Sequence, residues 1–88
     1  MLTKKQKDKV IEKFKTHKND TGSPEVQAAI LSHEINELSK HLESHKKDNS
    51  SRRGLLGKIT QRRKLLTYLQ REDIKRYEKL VKNLGLRK

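Results

Sequence analysis

The residues best suited to metal binding or proton transfer lie on one predicted helix. His33 and Glu34 begin the stretch SHEINELSKH, which starts like a zinc-protease motif, but Glu37 stands where that motif requires its second histidine. His41 and His45 are four residues apart, so a helix would present both imidazoles on one face, as a shared metal requires. The chain has no cysteine, and two imidazoles near the negative end of a helix are the simpler interpretation.

No glycine-rich phosphate loop and no nucleophile with a matching base stands out in the sequence. We therefore predict that the protein is not an enzyme and that it uses no cofactor and no metal. The side chains offer binding chemistry instead, in which cations hold an acidic partner and hydrogen-bonding groups select it.

The stretch HKKDNSSRRG, residues 45–54, has the composition of a turn but is unusually basic. Lysine and arginine supply four cations beside one acid, Asp48. The simplest role of Asp48 is to cap the following helix through the amide of Ser50 or Ser51. A carboxylate repels phosphates, however, so its place among cations indicates that it accepts from a ribose hydroxyl or a guanine amino group. Ser51 and His41 would act beside it in an RNA minor groove.

The charge of the chain indicates a polyanionic partner. Its 88 residues include 23 Lys and Arg against 11 Asp and Glu, which gives a net charge of +12. Residues 45–88 hold fifteen of these cations and four of the acids, whereas residues 20–44 are net negative. A face that serves solubility alone mixes both signs. We therefore expect the basic half to contact nucleic acid, an anionic membrane or an acidic protein.

The sequence contains no feature of export or membrane insertion. No apolar run approaches the ~20 residues that a spanning helix needs. The basic N-terminus, MLTKKQKDKV, is not followed by the apolar stretch of a secretory signal. Together with the absence of cysteine, this favours a reducing compartment, and we predict a cytoplasmic protein.

Apolar residues recur with a helical period along the whole chain, and no stretch alternates as a half-buried strand does. Ser23 and Pro24 predict the start of a second helix, Asp73 that of a fourth helix, and Gly85 its end. Gly54 falls at the end of the basic turn. The predicted helices cover about residues 4–17, 24–44, 51–71 and 74–84.

The apolar seams predict how these helices pack. Helices two and three would each be ~30 Å long and form an antiparallel hairpin, with the fourth helix along part of it. The first helix has a narrow stripe of Val10, Ile11 and Phe14. The predicted fold is therefore all-α, with three helices in an elongated antiparallel bundle plus a loosely docked N-terminal helix, in one domain of residues 1–88. Arg62 interrupts the third seam. The expected core positions of the bundle are Leu31, Ile35, Leu38, Leu42, Leu55, Leu56, Ile59, Leu65, Leu66, Leu69, Ile74, Tyr77, Leu80, Val81 and Leu84.

Three motifs in one order carry a family resemblance. NDTGSPEVQ, HLESHKKDNSSRRGLLGKITQRRKLLTYL and RYEKLVKNLGLR closely resemble the bacterial-type small ribosomal subunit protein fifteen family, from Asn19 to Arg87. The resemblance implies four helices and a primary binder of small-subunit ribosomal RNA, located in the ribosome. In the central domain of that RNA, the family stabilises a three-way junction, reads an irregular minor groove nearby and orders later protein binding in the platform.

Further partners follow from the same resemblance. The family contacts large-subunit ribosomal RNA across the subunit interface and neighbours other small-subunit proteins. Some members repress translation of their own message, which leaves its own mRNA open as a partner of this chain. We expect no membrane partner, and a monomer when the protein is unbound.

The resemblance also implies roles for individual residues, all of them contacts with RNA. The residues expected at the junction are Thr21, Gly22, Gln27 and Tyr68. Those expected to read the minor groove are His41, Asp48 and Ser51. Those expected to contact phosphates are His45, Lys47, Arg52, Arg53, Arg63 and Lys64. The sequence departs from the family at Asn49, where members often have histidine, so no contact is assigned there.

Three other classes of binding compete with this interpretation. A general nucleic-acid chaperone would bind any polyanion through charge alone. A DNA-binding protein would use the third helix, with its arginines, in the major groove. A membrane-surface protein would place its apolar stripes on lipid, but those stripes are better used between helices. Asp48 separates charge-only binding from groove reading, because removing a carboxylate strengthens the first and weakens the second.

Overall fold

The fold consists of α-helices joined by short turns. The computed structural model describes residues 4–14 and 22–86, and no β-strand occurs in these ranges. The helices are α1 (Lys4–Phe14), α2 (Pro24–Ser44), α3 (Asn49–Glu72) and α4 (Ile74–Leu84). This confirms the predicted all-α class. The predicted end of the first helix lies outside the described residues.

Local capping chemistry determines where the bundle helices begin and end. Ser23 Oγ accepts from the Val26 amide at 3.2 Å, and Pro24 occupies the first helical position of α2. Asp73 likewise caps α4, where its Oδ1 accepts from the amide of Arg76 at 3.2 Å. Gly85 ends α4 in the left-handed conformation, with φ of 70°, which suits a residue without a Cβ. These starts and this end agree with the prediction.

The turn between α2 and α3 is shorter than predicted. Asp48 is itself the N-cap of α3, so the helix begins at Asn49 rather than near Ser51. Gly54, which was predicted at the end of the turn, lies inside α3. The predicted cap, Asp48, and its hydrogen bond from the Ser51 amide are confirmed. The start of the helix was placed late because Asn and Ser are typical of both turns and first helical turns.

Side-chain contacts along α2 and α3 show that the two helices run antiparallel. Asp48 is next to His41, and further along α3, Lys58 Nζ lies 3.2 Å from Glu34 Oε1. As the residue number increases along α3, the number of the contacted residue in α2 decreases. The two helices share the largest interface, α4 packs on α3 and also contacts α2, and α1 packs on α2 alone among the described helices. The described part measures 39 × 28 × 18 Å, which agrees with the predicted elongated bundle and loosely docked first helix.

The core is small and lies where α2, α3 and α4 meet. Ala28, Leu69 and Leu80 form its centre. The half-buried side chains that pack around this centre are Phe14, Leu65, Leu66, Tyr77 and Leu84. Two predicted core positions are wrong, because Leu56 is 59% exposed and Ile74 is 49% exposed. Viewed along the axis of α3, Leu56 lies beyond Ile59 and outside the line of the other seam residues. Ile74 is the first residue of α4.

The polar interruption of the α3 seam has a partner on α2. Arg62 Nη1 donates to Ser32 Oγ at 3.1 Å, and that buried hydroxyl donates in turn to the Ala28 carbonyl at 2.8 Å. Partial burial lowers the pKa of Arg62 through desolvation. The arginine therefore bridges the two helices of the hairpin. None of the helices, within the residues described, is long and apolar enough to cross a membrane.

Gly57 weakens α3 without a packing reason inside the protein. It lies in the middle of the helix, and a Cβ built on it would meet nothing within 4 Å. We expect Gly57→Ala to raise the free energy of unfolding by about 0.5–1 kcal/mol, since glycine loses more backbone entropy in a helix than alanine. Gly85→Ala is the contrasting variant, because its left-handed φ of 70° strains any side chain. Urea denaturation should show opposite shifts, and a destabilised Gly57→Ala would contradict this account.

Candidate nucleic-acid interface

Three residues predicted to read a minor groove meet at the α2–α3 turn. Asp48 Oδ1 accepts from the Ser51 amide at 3.0 Å, and Oδ2 accepts from the Ser51 hydroxyl at 2.7 Å. His41 Nε2 lies 2.8 Å from the same Oδ2. A carboxylate only accepts, so this geometry places a proton on His41 Nε2. We call His41, Asp48 and Ser51 the turn cluster.

Asp48 is the organising group of the turn cluster. The hydrogen bond from the Ser51 amide, then that from the Ser51 hydroxyl and then that from His41 hold the pKa of Asp48 well below its usual range. The carboxylate therefore stays ionised at neutral pH. Of its roughly four acceptor positions, three are occupied within the protein. Asp48 thus fixes the orientation of the two neighbouring side chains as well as offering an acceptor of its own.

The second histidine of the turn supports the first. The His41 and His45 rings stack with centroids 4.3 Å apart and an interplanar angle of 6°. His45 Nδ1 lies 3.1 Å from both Ser44 Oγ and the carbonyl oxygen of His41. In the part of the chain that the structure describes, no three His, Asp or Glu side chains converge as a metal site. The stacking of its rings makes the pair a support for the turn cluster.

The cations of the turn divide into a structural one and outward-facing ones. Arg52 Nη2 donates to the carbonyl of Lys46 at 2.7 Å, which closes the turn. Lys47 and Arg53 are exposed beside it. The structural role of Arg52 was not predicted, because the pattern RR gives no indication of which arginine folds back. Lys47 and Arg53 have no carboxylate partner among the residues described, so their charge faces solvent.

A second group of predicted site residues lies at the other end of α2. Gln27 Nε2 donates to the carbonyl of Gly22 at 2.6 Å, which leaves the amide oxygen of Gln27 able to accept from a partner. Gln27 and Lys64 line the same shallow groove between α2 and α3, together with Ile30 and Leu65. The predicted junction residue Thr21 lies outside the described residues.

Tyr68 is exposed on α3 and carries a cation above its ring. Nearly half of the residue is accessible, at 47%, which excludes it from the core. The Arg71 guanidinium carbon lies 5.8 Å from the ring centroid, within the range of a cation–π contact. Arg71 was not among the predicted site residues, although its spacing of three from Tyr68 on a helix was a usable signal.

The structure separates two adjacent cations that the sequence grouped together. Lys64 lies in the groove that α2 forms with α3. Arg63 instead lines a depression on the α4 side of α3, next to Tyr77 and Gln70. Adjacent residues on a helix are about 100° apart, so the two cations cannot contact the same phosphate group in the same way. Arg63 extends the basic surface around the helix.

The two groups of site residues are far apart on a stiff element. His41 lies fourteen residues after Gln27 in α2, which corresponds to about 21 Å along the helix axis. The turn cluster can present hydrogen-bonding edges to a groove, and the exposed cations beside it have the charge that attracts phosphates. The Gly22–Gln27 end offers backbone and amide groups. The arrangement suits one extended polyanion that is contacted at two places.

Comparison with known proteins agrees with this arrangement. The profile of the family described as Ribosomal protein S15 matches residues 7–87. The chain is 60% identical over 87 residues to small ribosomal subunit protein uS15 of Halalkalibacterium halodurans, covering 99% of this chain and 98% of that one. The chain belongs to the ribosomal protein S15 family. Proteins of the same name from Brevibacillus brevis and Bacillus thuringiensis are 58% and 55% identical, with the same coverage.

Membership of the ribosomal protein S15 family confirms several predictions together. The chain is a structural constituent of the small ribosomal subunit and not an enzyme. Its location is the bacterial ribosome in the cytoplasm, as predicted. As part of that subunit it has ribosomal RNA as a partner. The roles of individual residues stay predictions.

Proposed function

We propose that this protein is a primary binder of the central domain of small-subunit ribosomal RNA. One end of the α2–α3 hairpin reads an irregular minor groove through the turn cluster. The other end, with Gly22, Gln27 and Tyr68, stabilises a three-way junction. Thr21, which precedes Gly22 in the chain, belongs to the same contact.

The observation that carries the proposal is the set of hydrogen bonds that joins His41, Asp48 and Ser51. Plain phosphate binding needs cations and gains nothing from an ionised carboxylate. Here a carboxylate with a lowered pKa holds an imidazole and a hydroxyl at fixed positions. Such a constellation suits the ribose hydroxyls and base edges of a wide, shallow RNA minor groove. Base and ribose contacts would select the site, and cations would supply affinity.

The remaining cations hold the phosphates on either side. We assign this role to residues that are exposed or lie at the turn: His45, Lys47, Arg52, Arg53, Arg63 and Lys64. Binding that fixes a junction also fixes the RNA around it, so it would order later protein binding in the platform of the subunit. Contacts with large-subunit RNA across the intersubunit bridge, with neighbouring proteins and with its own message complete the proposed partners. The whole chain, residues 1–88, would act as one domain and as a monomer when unbound.

A salt titration tests the proposal. Binding is measured to a ribosomal three-way-junction RNA and to a scrambled RNA of equal length, at increasing potassium chloride concentrations. We expect a large preference for the junction RNA that persists as salt rises, because hydrogen-bond readout is screened less than phosphate contacts. Equal affinities that fall together with salt would show a general polyanion binder instead.

A further inference from the structure

A partly buried ion pair joins α4 to the first turn of α2. Glu25 is the second residue of α2, and it is buried, with 8% of the residue exposed. Its Oε2 accepts from Arg76 Nε at 2.6 Å, and its Oε1 accepts from Arg76 Nη2 at 2.6 Å. This is the two-pronged pairing that guanidinium and carboxylate groups favour. The two residues are 51 positions apart in the chain.

The arginine of the pair is itself held by its own helix. Its backbone amide donates to Asp73 Oδ1, the cap of α4, and the guanidinium side chain is 43% exposed. The guanidinium nitrogens bind the Glu25 carboxylate, and part of the Arg76 side chain stays accessible to solvent. Arg76 thus connects the first turn of α4 to the first turn of α2.

The segment that the pair holds is the one assigned to the RNA junction. Gly22, Ser23 and Gln27 all lie within three residues of Glu25. Gln27 donates to the Gly22 carbonyl, and Ser23 accepts from the Val26 amide. The first turn of α2 is therefore one hydrogen-bonded unit, and the ion pair ties this unit to α4.

We propose that Glu25 and Arg76 are positioning residues for RNA recognition. They hold the first turn of α2 so that the Gly22 carbonyl and the Gln27 amide face the junction in one fixed arrangement. The inference rests on the proposed function. It explains why a carboxylate is kept beside an anionic ligand, because its charge is neutralised and largely removed from solvent by the arginine.

The direction in which Glu25→Gln changes RNA affinity separates a positioning role from binding by charge alone. Glu25→Gln raises the net charge by one, so binding by charge alone would become stronger. Positioning predicts the opposite, with affinity for the junction RNA lowered about tenfold, a typical effect of a residue that acts through others. Arg76→Lys keeps the charge but loses the planar fork, and it should produce a similar loss. Glu78→Gln on the exposed face of α4 is the matched control, and its affinity should equal or exceed that of the unmodified protein.

The experiment measures equilibrium binding of the full chain to the three-way-junction RNA and to the scrambled RNA across a salt series. We expect both variants to lose affinity for the junction RNA alone. The slope of log affinity against log salt should stay unchanged, because no phosphate contact is removed. A lower slope for Arg76→Gln, which removes the cation, would show instead that the arginine contacts phosphate, which would overturn the inference.

Three further outcomes separate an effect on fold stability, binding by charge and failure of the proposed function. Parallel weakening with both RNAs would show that the pair only stabilises the fold, since a smaller folded fraction lowers every affinity by the same factor. Unchanged or stronger junction binding by Glu25→Gln would also overturn the inference, while the junction preference of the unmodified protein leaves the proposed function standing. An unmodified protein without that preference would refute the proposed function itself. Circular dichroism at the binding temperature gives the folded fraction of each variant. If Glu25→Gln is unfolded, the binding result for Arg76→Lys tests the inference in its place.

Discussion

We expect Asp48→Asn to weaken binding to the three-way-junction RNA by about ten- to hundredfold, the range for losing hydrogen bonds to a charged group. The substitution keeps the size of the side chain and one oxygen that can accept from the Ser51 amide. It replaces Oδ2, which now accepts from the Ser51 hydroxyl and lies 2.8 Å from His41 Nε2, with an NH₂ group that cannot accept. Both neighbours lose their fixed orientation. Filter binding or calorimetry at constant salt measures the effect.

The control for Asp48→Asn is a nearby carboxylate outside the turn cluster. Glu43 is exposed on α2, two residues from His41, and Glu43→Gln changes the net charge by the same amount. It should leave junction binding equal or slightly stronger, and both variants should bind scrambled RNA at least as well as the unmodified protein. If Asp48→Asn strengthened junction binding to the same extent as Glu43→Gln, the turn cluster would be a capping device without a role in recognition.

The largest effect on stability is expected at the centre of the core. Leu69 is 1% exposed and packs with Ala28 and Leu80. Leu69→Ala should lower the free energy of unfolding by about 2–5 kcal/mol, the range for a leucine replaced in a core that relaxes only partly. A domain of this size has little stability in reserve, so we expect much of the variant to be unfolded at 37 °C. Urea denaturation without RNA measures the change.

Leu56→Ala is the matched control on the same helix. That leucine is 59% exposed, so its replacement should change stability by less than about 0.5 kcal/mol. Junction RNA should restore folding of Leu69→Ala, because a ligand that binds the folded state alone shifts the equilibrium by mass action. Equal stabilities of the two variants would contradict the assignment of the core.

The parts of the fold that were predicted from sequence depend on local chemistry. Ser23, Asp73 and Gly85 act within a few residues of their own positions, so their types alone indicated the helix ends. The position of Leu56 required the rotation of α3 against α2, which depends on all contacts of the hairpin together. The cap of α3, Asp48, was predicted correctly, but the start of the helix was placed two residues late because Asn49 and Ser50 are also typical of turns.

The candidate site divides in the same way. Asp48 and Ser51 are neighbours in sequence, and their contact follows from the capping geometry. His41 reaches them because the turn folds α2 and α3 together, which the sequence only suggested. The pair of Glu25 and Arg76 spans 51 residues and depends on where α4 docks, so no local pattern could predict it. The separation of Arg63 from Lys64 likewise follows from helix rotation.

The stiffness of the α2–α3 hairpin has a consequence for the RNA. Its two proposed contact regions are held about 21 Å apart by continuous helix, so the distance between them is fixed. Once one end is engaged, the other end meets its target at a high effective concentration, provided that the target lies at that distance. An RNA that carries both features at another spacing engages one end at a time and loses this gain. On the proposed function, the protein thus selects the folded distance between two RNA features as well as the features themselves.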